Sequence, residues 1–173
     1  MEIEIKALLT KEKYEELQKL LPKKFKKVNE DVITTFRFKP KDVRIRYSDK
    51  INELVFKEGD PTKFSRKEVS INLKDRADAE NMIAVLRELG FKDDPSWIKK
   101  KEEFVCNYNG FEYLLSLQFI ENFAYLLEAE IMSDDEKHIP NLKQIISSLG
   151  CQPIEPAEFN AKIDGYIRKN SKK

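Results

Sequence analysis

The chain has 173 residues, 40% hydrophobic and 36% charged, with 32 basic against 31 acidic side chains and a formal net charge of +1. That length suits one domain spanning residues 1–173 with a real core, and that apolar content excludes a disordered chain. A balance so near zero excludes bulk attraction to nucleic acid or an anionic membrane, and no apolar run approaches the roughly 20 residues of a membrane span.

The first segment, "EIEIK", alternates as a strand does, so Glu2, Glu4 and Lys6 share one face and Ile3 and Ile5 the other. Acidic residues at the start carry the wrong sign for a secretory leader, so a cytoplasmic protein with reduced thiols at Cys106 and Cys151 is expected. Thr10 caps a helix through "KEKYEELQKLL", whose stripe of Tyr14, Leu17 and Leu21 is expected to stop at Pro22. Strand-like segments follow in "DVITTFRF", "VRIRY", "ELVFK" and "RKEVSINL", separated by short turns at Pro40 and "EGDPTK". A second helix runs through "DAENMIAVLRELG", striped by Met82, Ile83, Leu86 and Leu89 and stopped by Gly90. "WIKKKEEFVC" and "FEYLLSLQF" form two strands turned by "NYNG"; "YLLEAEIM" and the helix "IPNLKQIISSLG" close the pattern. The tail "RKNSKK" reads as a solvated end.

Two stretches repeat one plan: "EVSINLKDRADAENMIAVLRELG" from Glu68 and "EAEIMSDDEKHIPNLKQIISSLG" from Glu128 are each an acidic strand followed by a helix ending Leu-Gly. "EIEIKALLTKEKYEELQKLL" is a shorter version. In this register Glu68 matches Glu128, and Ser70 falls where Glu130 stands.

The later strands repeat the alternation of the first. Arg44 and Arg46 oppose Val43 and Ile45; Arg66, Glu68 and Ser70 share a face; Lys57 opposes Phe56; Lys99 aligns with Lys101, and Glu128 with Glu130. An open sheet with one wet face would alternate similarly, but such faces usually carry Thr, Ser and Gln as well. The pattern therefore predicts an α+β fold in which a closed antiparallel barrel has a charged lumen and wears its helices outside. Carboxylates gathered inside repel by about 4 kcal/mol per pair at 4 Å and an effective dielectric near 20, so Glu2, Glu4, Glu68, Glu128 and Glu130 require shifted protonation or cations. The cysteines and the only histidine, His138, make no metal-ligand spacing, which leaves carboxylate donors and favours Mg²⁺ or Mn²⁺. The basic walls in turn suit an anion such as a polyphosphate.

These motifs resemble the CYTH proteins, also called triphosphate tunnel metalloenzymes. "EIEIK" resembles the family's Glu-x-Glu-x-Lys signature; "VRIR", "LVFK", "SRKEVS", "KKK" and "LLEAE" resemble its later motifs in order, from Met1 to about Gly150, and "KIDGYI" resembles its last helix. The resemblance implies an eight-stranded tunnel acting on a triphosphate with Mg²⁺ or Mn²⁺. Glu2, Glu4, Glu128 and Glu130 would face the metal, with Glu68 a further acid. Arg44, Arg46, Lys57, Arg66, Lys99 and Lys101 would clamp the phosphates, and Lys6 would orient or activate the nucleophile. The chain departs from the family at Gln118, where an Asp is usual, at Ser70, where a second acid is usual, at Ile33, where many members have a tyrosine, and at Ala124, a common glycine. The expected activity is metal-dependent hydrolysis of tripolyphosphate or an organic triphosphate by a monomer or homodimer. The alternatives are a class IV-type adenylyl cyclase, a tunnel that binds triphosphate without turnover, and an ordinary structural domain.

Overall fold

The computed structural model describes residues 1–170, so residues 171–173 of the basic tail lie outside the described residues. In chain order it contains β1 (Glu2–Leu9), α1 (Lys11–Lys24), β2 (Lys26–Lys39), β3 (Asp42–Tyr47), β4 (Asn52–Glu58) and β5 (Ser65–Asn72), then α2 (Arg76–Glu88), β6 (Lys92–Tyr108), β7 (Phe111–Ile120), β8 (Ala124–Met132), α3 (His138–Ser148) and α4 (Pro156–Asn170). The eight strands close into an antiparallel barrel in the order β1-β5-β4-β3-β2-β6-β7-β8, an α+β fold with the predicted inverted polarity. Among the described residues no helix is long and apolar enough to cross a membrane.

The outward-facing apolar residues of the strands make the main core. Ile3, Ile5 and Ala7 of β1, Leu115 and Leu117 of β7, and Leu127 and Ala129 of β8 pack with Leu17 and Leu21 of α1 and Leu142 and Ile146 of α3, all of them at 0% exposure. Burial of these side chains is what seats the helices, at roughly 1.5–3 kcal/mol per large residue removed from water. On the other side Ala79, Ile83 and Leu86 of α2 cover Phe38, Val43 and Ile45.

Local chemistry sets the element ends. The Thr10 side chain accepts a hydrogen bond from the Lys13 amide and caps α1. Pro22 does not stop this helix, which runs on to Lys24. Proline already holds a helical φ, and the bond it forfeits is to the carbonyl of Gln18 on the solvent face. Gly90 and Gly150 close α2 and α3 at φ +88 and +72, where a side chain would be strained. Leu89 is 71% exposed, so the buried stripe of α2 ends at Leu86.

β2 begins five residues earlier than its apolar alternation does. Its extension is carried by cross-strand polar pairs, Lys27 to Glu102 at 2.6 Å and Asn29 to Glu103 at 2.7 Å. The barrel is unevenly stitched: β1 pairs with β8 along its whole length, from Glu2 opposite Met132 to Leu9 opposite Tyr125, but meets β5 only at Glu2–Arg66 and Ile3–Ser65.

Candidate active site

Because a strand's side chains alternate, every strand that buries its apolar set under a helix turns the intervening charges inward. The lumen encloses a cavity of about 370 Å³, and Glu2, Glu4, Lys6, Arg44, Arg46, Lys57, Arg66, Glu68, Lys99, Lys101, Glu128 and Glu130 all line it. The structure thus brings together every site residue selected from the sequence.

Inside, acids and bases neutralise one another. Lys6 lies 2.5 Å from Glu4 and 3.0 Å from Glu128; burial disfavours its charge, but the Glu128 and Glu4 carboxylates outweigh burial and hold it above the usual lysine range. Lys57 bridges Glu2 at 2.9 Å and Glu68 at 3.0 Å, and Arg46 reaches Glu53 at 2.8 Å and Glu68 at 2.9 Å. Arg44 grips Asp42 through two bonds of 2.8 and 2.9 Å, and Arg66 adds a third at 2.9 Å. Burial works against the Asp42 charge, and these guanidiniums more than offset it, leaving its carboxyl well below the usual carboxylate range. Lys101 pairs with Glu103 at 2.6 Å. Lys99 alone among the clamp cations has no carboxylate within ion-pair distance among the described residues. Burial, then the neighbouring Lys101 charge, push it down to about 7.

The acids divide into two sets. Glu2, Glu4 and Glu130 each offer a carboxylate oxygen within 4.8 Å of the others, with Glu4 directly opposite Glu130 across β1 and β8. Burial and the Glu128 charge push Glu130 up to about 8, and burial also raises Glu2. Lys57 pairs with Glu2 and Lys6 with Glu4, while Glu130 has no ion-pair partner among the described residues, and the three carboxylates together offer hard oxygen donors of the kind that hold a divalent ion. Glu68 and Glu128 lie outside this cluster: Glu68 is held by Arg46 and Lys57, Glu128 by Lys6 and Gln118. Burial opposes the Glu128 charge, yet Lys6, Lys99 and Lys101 keep its carboxyl well below the usual range.

The departures from the family pattern have separate consequences. Gln118 is buried, and its amide nitrogen donates to Ser116 Oγ at 2.9 Å and Glu128 Oε1 at 3.0 Å, so it stabilises an acid that a carboxylate here would repel. Ser70 lies on the strand face of Arg66 and Glu68 but is exposed and is not among the residues that line the cavity. Ile33 lines the cavity opposite Lys99 and supplies no hydroxyl. Ala124 opens β8 beside the apolar cluster of Ile120 and Leu126.

Several residues escaped the sequence reading. Glu53 and Glu103 on the wall, and Asp42, which holds the wall residues Arg44 and Arg66, share the parity of Lys57, Lys101 and Arg44, so the same alternation rule would have found them. Asp31 and Asn29 line the cavity from the polar extension of β2. Trp97, Phe123 and, from α4, Phe159 and Asn160 also line it; nothing in α4's own pattern signals that it reaches the lumen. There Arg37 stacks its guanidinium 4.8 Å from the Trp97 ring centroid.

With this geometry in view, comparison with known proteins is informative. The family model of the CYTH domain matches residues 1–153. No curated protein matches. A conserved hypothetical protein from Pyrococcus furiosus is similar at 25% identity and TM-score 0.70, over 87% of this chain and 91% of that one. An adenylate cyclase candidate from Vibrio parahaemolyticus shares the fold at 17% identity and TM-score 0.63, over 87% and 89% of the two chains. A Hippeastrum protein described as an adenylyl cyclase candidate with dominant triphosphatase activity shares it at 16% identity and TM-score 0.62, over 90% of each.

Proposed function

The chain belongs to the CYTH-domain family, and from that premise we propose that its lumen binds a triphosphate and hydrolyses it with Mg²⁺ or Mn²⁺. The observation that carries this reading is the convergence of Arg44, Arg46, Lys57, Arg66, Lys99 and Lys101 with the carboxylates of Glu2, Glu4 and Glu130 on one enclosed cavity. The arginines offer planar forks that match phosphate oxygens, and the lysines offer point charges. Glu2, Glu4 and Glu130 would hold the ion, which when bound supplies Lewis acidity and an activated water. Lys6 stays an ammonium between Glu4 and Glu128, so it donates hydrogen bonds and orients a water or phosphate oxygen rather than removing a proton.

Phosphate release from tripolyphosphate with Mg²⁺ or Mn²⁺, stopped by EDTA, is the expected result. Cyclic AMP formed from ATP in place of phosphate would select the cyclase instead. A second reading has a specific observation behind it: the buried Gln118 amide, where the family usually has Asp, fits a tunnel that holds triphosphate without turning it over. Calorimetric binding without turnover, with activity appearing in Gln118→Asp, would select that reading. Neither binding nor turnover sinks both.

A further inference from the structure

β5 is paired along one side and hardly at all along the other. Its ladder with β4 runs from Lys67 opposite Glu58 to Asn72 opposite Glu53, whereas β1 meets it only at Ser65 and Arg66. Antiparallel pairing aims the backbone groups of successive residues at alternate neighbours. The Leu73 amide donates to the Asn52 carbonyl, so Ile71, Val69 and Lys67 bond toward β4. The Glu4 amide donates to the Phe64 carbonyl, which by the same alternation turns Arg66 toward β1. The N–H and C=O groups of Glu68, Ser70 and Asn72 therefore point to the β1 side beyond the last β1 pair, where no strand among the described residues receives them. The side chains here are as uncovered as the backbone. Val69 and Ile71 sit on the outer face, 45% and 58% exposed, outside the cluster that α2 forms over β3 and β4. Ser70 and Asn72 are exposed as well. Open edges are usually guarded by a lysine, a proline or a bulge, and residues 69–72 carry none of these.

We propose that this edge docks a second copy of the chain, the two β5 strands pairing antiparallel about a two-fold axis at Ser70. The strand itself selects that register. Only a centre at Ser70 satisfies the three free residues with one another: Ser70 faces Ser70 of the partner subunit, and Glu68 faces Asn72 of the partner subunit. About six backbone hydrogen bonds result. The same register sets Val69 against Ile71 of the partner subunit, and the symmetry repeats this β-branched apolar pair on the outer face. A centre at Val69 would instead require Arg66, already paired with Glu2, and would set Ile71 against Lys67 of the partner subunit. Directly opposed residues share a face, so Asn72 of the partner subunit joins Glu68 on the lumen side. The partner strand thus continues the barrel wall where β1 leaves it. This pairing is independent of what the lumen binds.

So short a ladder makes a small interface, so a dissociation constant in the micromolar range is expected. Sedimentation equilibrium of the full chain from about 1 to about 200 μM should show monomer and dimer in exchange. Ser70→Pro removes an edge donor that β4 does not use, and Ile71→Lys sets a charge against Val69 of the partner subunit. Each should raise the dissociation constant at least about tenfold while leaving the urea midpoint of the monomer unchanged. If the proline disturbs folding, the lysine at an exposed position carries the test. Ser70→Cys should form an intermolecular disulfide under mild oxidation, since directly opposed α-carbons lie about 5.5 Å apart, and should do so faster than Val69→Cys. The native Cys106 and Cys151 are buried and stay out of this reaction. A monomer at every concentration, a dimer indifferent to both variants, or Val69→Cys crosslinking ahead of Ser70→Cys would overturn the proposal.

Discussion

Replacing Glu130 by Gln tests whether the acidic cluster stores repulsion. Burial and the charges of Glu128, Glu2 and Glu4, only partly countered by Lys101, raise its carboxyl from an ordinary 4.5 to about 8. Between those values the folded protein keeps a proton that the unfolded chain has released, so this group's stabilising contribution is whole below pH 4.5 and is lost as pH rises through 8. At about 1.4 kcal/mol per unit, the loss reaches about 4 kcal/mol by pH 8. Glu130→Gln cannot titrate, so in EDTA its stability should gain on the wild type by up to that amount between pH 4.5 and 8. Urea denaturation at half-unit pH intervals measures the gap. Mn²⁺ should restore wild-type stability at pH 8 and do little for the variant, which lacks one of the three carboxylates. Parallel stability curves across this range would refute the reasoning, because they would mean that Glu130 ionises as freely as a surface glutamate.

Lys99, pushed down to about 7 by burial and by Lys101, Arg46 and Arg44 against the single pull of Glu128, should take up a proton when a polyanion arrives. At pH 8, tripolyphosphate binding measured in two buffers of unlike ionisation enthalpy should show uptake approaching one proton, and Lys99→Met should abolish it; equal enthalpies in both buffers for the wild type would contradict this. Leu115, at 0% exposure in the core between barrel and helices, should cost about 2–5 kcal/mol as Leu115→Ala by denaturant midpoint, and a loss under about 1 kcal/mol would mean that the outer face is not the core.

How much of this was legible beforehand depended on the range of each signal. Strand parity is local, and it was enough to turn Glu2, Arg44, Lys57 and Lys99 to one side of their strands, hence into one lumen. Helix stripes were legible as well, except where the chain broke an average rule: Pro22 sits in the last turn of α1, and Leu89 lies past the end of its buried face. What stayed hidden was set by partners distant in sequence. The first residues of β2 are strand because Glu102 and Glu103 lie across from them, more than seventy positions on. Glu68 and Glu128 look equivalent to Glu4 in sequence, yet cations from other strands claim them, which only the closed barrel reveals. Phe159 reaches the lumen because Ile154 donates its amide to the Lys6 carbonyl and directs α4 across the end of the barrel.

Lys57 joins the two halves of the lumen, since its ammonium is bound to Glu2, a member of the carboxylate trio. On the proposed function, a divalent ion drawn to Glu2 would leave that lysine tied to Glu68 alone and freer to meet phosphate, and a phosphate drawn to the lysine would release Glu2 for the ion. Each guest would therefore prepare the other's seat. By thermodynamic reciprocity, whatever factor the metal adds to triphosphate affinity the triphosphate returns to the metal. On the proposed function, filling the tunnel is an exchange of partners in which cation and polyanion would enter as allies.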